Sequence, residues 1–411
     1  MGSDATHRTA LIAGAGIGGL TAALCLQRRG WRVRVVERAA ELREVGAGIQ
    51  LSPNAMRVMD ALGLREALEA DGAVRPEAIT LKLGDSGKTL LRAPLSDTRF
   101  GAPYFHVHRA DLLKVLTSAV EANDPKAIRL GSELNGFTQS EGEVSVELPD
   151  GTRILGEILV GADGLRSRVR EELFGDGSAR YSGCVAWRAT VPVDRLGDLA
   201  PPPESCVWLG ERAHAVTYLL RNRTLANFVG VVEAPKGGAE ESWSATGARE
   251  QAFADFTGWH PTLWKIISEA DELHRWALFD RRPLNAWHDG RVGLIGDAAH
   301  PMLPFLAQGA AMAIEDGWTL SASLGISATV EEAWSHFRAV RFARTRKMQE
   351  ASRANEKLFH ASTRSRRFLR WGPIWAAGRI APSLGLAKFG WIYSHDPTAL
   401  GDSDPLAMGF A

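Results

Sequence analysis

The sequence predicts an α/β protein with an opening parallel-sheet domain, an inserted β-sheet domain and a helical C-terminal region. Three observations carry this. A short apolar run, Thr9 to Ala13, meets a glycine cluster and then a helical stretch, Leu20 to Arg29, stopped by Gly30. Short strands separated by turn residues crowd the middle of the chain, notably Cys184 to Glu233. A long, charged helical pattern occupies Glu331 to Arg370.

Each element follows from its residues. Trp31 to Val36 alternates and is rich in β-formers, so it is a second strand, parallel to the first across the intervening helix. Ala110 to Ala122 reads as a helix ended by Asp124-Pro125. Val144 to Leu148, Arg153 to Leu155 and Ile158 to Val160 read as strands, with a Pro149-Asp150-Gly151 turn among them. Arg291 to Ile295 is a buried-strand run that ends on Gly296-Asp297. These elements place a nucleotide-binding domain in residues 1–175 and 286–330. The inserted sheet domain takes 176–285, and the helical region takes 331–411.

Composition excludes several classes. Lys plus Arg and Asp plus Glu are each 48, so net charge is zero and no basic footprint for nucleic acid exists. A 45% hydrophobic, 23% charged chain is globular. Cys25, Cys184 and Cys206 have neither disulfide nor zinc spacing, which suits a reduced, cytoplasmic setting. Ala10 to Leu26 is apolar, but it contains four glycines and lacks a signal-cleavage pattern; it is also short of the about 20 residues of a membrane span. No integral membrane segment is expected. Monomer and homodimer both remain open.

Gly14-Ala15-Gly16-Ile17-Gly18-Gly19 fits the G-x-G-x-x-G pattern between a strand and a helix. In that context Gly14 permits the tight turn, Gly16 admits a pyrophosphate to the backbone, and Gly19 lets helix and strand approach. The helix N-terminus adds positive potential toward phosphate. Glu37 follows the second strand, placed to accept ribose hydroxyls, with Arg38 beside it. A carboxylate there would repel a 2′-phosphate, leaving FAD or NAD as the bound dinucleotide. The domain is thus Rossmann-like.

Three further segments bear on which dinucleotide it is. Gly161-Ala162-Asp163-Gly164 is followed by the arginine-rich Leu165 to Arg170. Gly296-Asp297-Ala298-Ala299-His300-Pro301 follows an apolar strand and leads through Pro304 to Ala307-Gln308-Gly309-Ala310. Gly46 to Asn54 contains Gln50, and Arg109 opens the stretch Arg109-Ala110-Asp111-Leu112. Together these segments resemble the single-component flavoprotein aromatic hydroxylases, from Leu11 to Asp396. The resemblance implies FAD as cofactor, with Asp163 and Arg109 contacting it and Asp297 at its ribityl chain. It places Gln50 and Pro304 beside the flavin, with Gly309 and Ala310 opening a helix toward its pyrimidine. Many members carry Gly-Gln-Gly where this chain has Ala307-Gln308-Gly309.

The resemblance also implies the reaction. Reduced nicotinamide, NADH or NADPH, visits transiently and reduces the flavin. O2 then gives a C4a-hydroperoxide that hydroxylates a small aromatic ring, expected to be a hydroxylated aromatic or heteroaromatic carboxylate. His214 and Tyr218 are four apart in a strand-rich region and so share one face. Matching positions bind and activate substrate, which assigns them catalytic and substrate-binding roles. Cys206 and Pro304 join them as substrate-binding candidates. A histidine near neutral pKa can take a phenolic proton, and a tyrosine can hydrogen-bond an oxyanion or carboxylate. His106-x-His108 lacks a third ligand, so strand packing is the expectation there and no metal is assigned. An NAD-dependent dehydrogenase and a non-catalytic flavin-binding sensor are the alternatives from other classes.

Overall fold

The computed structural model describes residues 8–42, 48–175, 177–234, 248–361, 363–380 and 382–400. Two sheets set its architecture. The first has six strands in the order His288–Asp289, Val292–Leu294, Ile158–Gly161, Thr9–Ala13, Arg32–Val36 and Ile128–Arg129. The four central strands pair in parallel, and only the outer 288–289 pairing is antiparallel. Their apolar runs are buried on both faces, as a parallel sheet covered by helices requires. Helix Ile17–Arg28 covers one face and packs on helix Gly309–Ile326.

The second sheet has seven strands, running from His274–Asp280 through Arg180–Pro192, Leu225–Glu233, Ala213–Leu220 and Ser205–Leu209 to Ala78–Leu83 and Thr89–Pro94. The boundary expected at residue 175 therefore does not separate the two sheets. Ala78–Leu83 lies well inside the first segment, yet it pairs in parallel with Ser205–Leu209 over five residues. That strand needs a backbone partner on its outer edge, and the hairpin 78–94 supplies it.

Alternation divides this sheet into two faces. Trp187, Trp208, Ala215 and Phe228 point into a separate apolar core closed by helices Arg249–Asp255 and Pro261–Glu269. The opposite face, with Arg188, His214, Val216, Tyr218 and Val229, looks toward the nucleotide-binding sheet across a cavity.

The helix expected over Glu331 to Arg370 is two helices, Val330–Phe359 and Arg364–Ile380. The break falls at His360, whose backbone bridges to Gly210 of the second sheet. A tertiary contact thus ends a stretch that charge and periodicity would continue. Among the described residues, no helix is long and apolar enough to cross a membrane.

Candidate active site

The cavity between the two sheets holds about 610 Å³. The first strand delivers the glycine turn to its rim. Gly14 takes φ +102°, a left-handed conformation open to glycine, and a Cβ there would lie 2.6 Å from the Ala162 carbonyl. At Gly19 a Cβ would run into the Gly14 carbonyl. Gly16 differs: it lines the cavity, and a Cβ there would meet nothing within 4 Å. Gly14 and Gly19 therefore shape the turn, whereas Gly16 keeps the approach to it clear. Glu37 sits behind the turn, its two oxygens accepting the Ala15 amide at 2.8 Å and the Ala39 amide at 2.9 Å. A carboxylate has about four lone-pair sites, so acceptor capacity remains. Arg38 lines the cavity nearby.

Two aspartates line the cavity, each just beyond the C-terminal end of one of two adjacent parallel strands. Asp163 Oδ2 accepts the Arg168 and Val169 amides at 2.7 and 3.2 Å, capping helix Arg168–Phe174. Its Oδ1 is buried without a hydrogen-bond partner, and burial raises the carboxyl above its usual range. Asp297 opens on the cavity; desolvation raises its carboxyl too, while His300 and Arg109 oppose the shift. Both groups are acceptors suited to hydroxyl or amide donors. Gln50, Arg109, Pro304, Gly309 and Ala310 line the same cavity. Gln50 is held by the Tyr104 hydroxyl at 2.7 Å. Gly46 and Ala47, the start of its segment, lie outside the described residues.

Helices Ile17–Arg28 and Gly309–Ile326 both begin at the cavity wall, so their free amides and partial positive charge point there. The open approach at Gly16, the orphaned Asp163 oxygen and these helix ends fit a dinucleotide carrying a pyrophosphate and a polyhydroxylated chain.

On the substrate side, His214, Tyr218 and Pro304 line the cavity, and Cys206 does not. His214 and Tyr218 share the cavity face. Burial lowers His214 well below the ordinary histidine pKa and raises Tyr218 above the ordinary phenol value. The imidazole is thus neutral and the phenol protonated near pH 7. Cys206 is a correction: it pairs directly with Thr217, one residue off the Tyr218 face, and points into the tryptophan-lined core. Period-two alternation turns it away from the cavity.

Sequence reasoning missed Arg188, Asp316 and Arg341, and gave Arg170 only a place in an arginine-rich stretch. Arg188 lines the cavity, its guanidinium 4.4 Å from the Trp276 ring centroid. Arg170 donates to the Ala298 carbonyl at 3.0 Å, fixing the Asp297 turn from beneath. Asp316 accepts from Gly296 at 2.8 Å and lies 2.6 Å from His300 Nε2. Arg341 pairs with Asp316 at 2.7 Å and with Glu315. A buried-strand arginine at 188 was the visible signal for the first; the others depend on partners far along the chain.

Fold, cavity and family membership together make this a flavin-dependent monooxygenase of aromatic rings, which takes FAD as cofactor and uses reduced nicotinamide and O2. The chain belongs to the FAD binding domain family, whose sequence model matches residues 7–336. It is 39% identical to 3-hydroxybenzoate 6-hydroxylase 1 of Aquipseudomonas alcaligenes, over 86% of this chain and 90% of that one. It is 37% identical to 3-amino-4-hydroxybenzoate 2-monooxygenase PtnB3 of Streptomyces platensis, over 96% and 98%. Among solved structures it resembles Klebsiella pneumoniae HpxO complexed with FAD and uric acid, with TM-score 0.82 and 26% identity over 94% of this chain and 97% of that one.

Proposed function

We propose that this enzyme hydroxylates a small aromatic carboxylate that already bears a hydroxyl group. The observation that carries the reading is the cavity face on which neutral His214, protonated Tyr218 and cationic Arg188 converge. An arginine there complements a carboxylate. Tyr218 donates to the substrate carboxylate or oxygen, and His214 receives the hydroxyl proton, making the ring electron-rich. Val216, Val229 and Leu278 give the ring an apolar bed that excludes water. Gly16, Asp163, Asp297, Arg109 and the Gly309 helix end would hold FAD, which supplies electron transfer from nicotinamide and activation of O2. The names of the relatives, two of which act on hydroxybenzoates, support the same substrate class. Three free, buried cysteines suit a reducing cytoplasm, where the enzyme acts as a monomer or homodimer without nucleic acid.

The test is NADH consumption, O2 uptake and product analysis with 3-hydroxybenzoate, 3-amino-4-hydroxybenzoate and 6-hydroxynicotinate. At least one should raise NADH oxidation about tenfold or more and yield a hydroxylated product. Arg188→Met should raise KM for that compound far more than it lowers kcat. No stimulation by any of the three would overturn the substrate class.

A further inference from the structure

A polar chain runs from the cavity to the surface behind His214. His214 Nδ1 lies 2.8 Å from His360 Nε2. His360 Nδ1 lies 3.5 Å from Glu233 Oε1, and Arg212 Nε donates to Glu233 Oε2 at 2.9 Å. Both imidazoles are buried, whereas Glu233 is 35% exposed. Three separate elements supply the chain: the strand carrying His214, the end of helix Val330–Phe359, and the last residue of strand Leu225–Glu233. His360 is fixed by its backbone bridge to Gly210, by its amide on the Glu356 carbonyl at 2.9 Å, and by Phe305 packed edge-on at 5.9 Å.

We propose that His360 and Glu233 are positioning residues that hold His214 with its Nδ1 protonated and its Nε2 lone pair toward the cavity, and that carry onward the proton His214 takes from the substrate hydroxyl. The inference rests on reading His214 as the substrate's base.

The tautomers follow from the partners. Two imidazole nitrogens at 2.8 Å share one hydrogen. The Glu233 carboxylate, 3.5 Å away in electrostatic contact rather than hydrogen-bond geometry, favours a hydrogen on His360 Nδ1 over one on Nε2. His360 Nε2 is then the acceptor, and the shared hydrogen belongs to His214 Nδ1. That leaves Nε2 of His214 as a lone pair on the cavity side.

The relay also answers an energetic difficulty. Burial pushes His214 well below the ordinary value and His360 down to about 4. A cation held on His214 alone would be costly. When the substrate O–H proton reaches His214 Nε2, the Nδ1 proton passes to His360 Nε2. His214 ends neutral in its other tautomer and the substrate becomes an oxyanion. The positive charge rests on His360, against the Glu233 carboxylate. Glu356 and the Cys184 thiol, 3.5 Å apart, also lie close to this ring. Burial raises both, which keeps the thiol protonated.

Two measurements on the FAD-loaded enzyme test this. Nitrogen NMR of histidine-labelled enzyme without substrate should show His214 as the Nδ1–H tautomer; hydrogen on Nε2 instead would overturn the proposal. This result decides the relay even if no hydroxybenzoate proves to be a substrate. The second uses His360→Gln, whose amide oxygen can accept from His214 but cannot take a proton. With 3-hydroxybenzoate as probe, hydroxylated product formed per NADH consumed should fall about 100-fold at pH 7. It should recover toward wild type as pH approaches the phenol's own pKa of about 10, because an ionised substrate bypasses the relay. FAD content and melting temperature should match wild type. A defect that stays constant with pH would mark His360 as structural only and refute the relay.

Discussion

Two glycines of one turn separate folding from binding. Gly19→Ala forces a methyl onto the Gly14 carbonyl, so it should lower stability by about 1–3 kcal/mol in urea unfolding, with FAD loss as a consequence. Gly16→Val should fold normally, because a Cβ there meets nothing within 4 Å, yet it should purify without flavin absorbance. Full flavin occupancy in Gly16→Val would contradict the phosphate-approach assignment. His214→Ala should retain FAD and lose about 100-fold or more in hydroxylation, read as product formed per NADH consumed.

Buried histidines add a pH dependence at the same scale. Burial lowers His106, which packs on Tyr218, to about 3 and His360 to about 4. The unfolded rings titrate at about 6.5. Between those values the unfolded chain binds more protons than the folded one. The stability these neutral rings contribute is therefore complete above about pH 6.5 and is lost as pH falls toward their folded values. The urea midpoint should drop between pH 7 and pH 5, and His106→Phe should shallow that drop. Identical slopes for variant and wild type would remove His106 from the account.

At the scale of elements, helix Gly309–Ile326 is tied to helix Val330–Phe359 by a buried ionic cluster. Arg341 meets Asp316 and Glu315; Arg344 meets Glu315 at 2.7 Å; Asn54 donates to Glu315 at 2.7 Å. Opposite charges and hydrogen bonds hold both carboxylates below their usual range despite burial. Removing one partner strands the other in a low dielectric. Arg341→Met should cost about 3–5 kcal/mol in urea unfolding, whereas replacing an exposed pair such as Arg346–Glu350 should cost under about 1 kcal/mol. Asp316 also holds Gly296, so the Arg341 variant should weaken FAD retention, measurable as a faster release of flavin fluorescence. The element boundaries show what local pattern could not see: the helix break at His360 depends on a bridge to Gly210, about 150 residues away in sequence.

At the scale of the molecule, one cavity is walled by two sheets, with Gly16 and Asp163 on one side and His214 and Tyr218 on the other. A ligand that fills it binds only the folded state and stabilises both sides together. FAD at about 100 times its Kd should add about 2.7 kcal/mol to unfolding, so the flavin-free protein should melt at a lower temperature. Equal melting temperatures with and without saturating FAD would show that the cavity is not its site.

The glycine turn, the parallel strands around it, the Asp163 and Asp297 segments and the alternating strand of His214 and Tyr218 were legible in the sequence. The glycine turn and the alternating strands are short-range patterns in which backbone conformation or period dictates residue type, whereas the cofactor roles of Asp163 and Asp297 came from the family resemblance. The tertiary structure alone decided the rest. It brought strand 78–83 into the second sheet, turned Cys206 to the far side, and set Arg188 beside Tyr218. It also joined His214 to His360 and Glu233. Those facts depend on which distant segment supplies a backbone partner or a buried counter-charge, and no local run of residues encodes that choice.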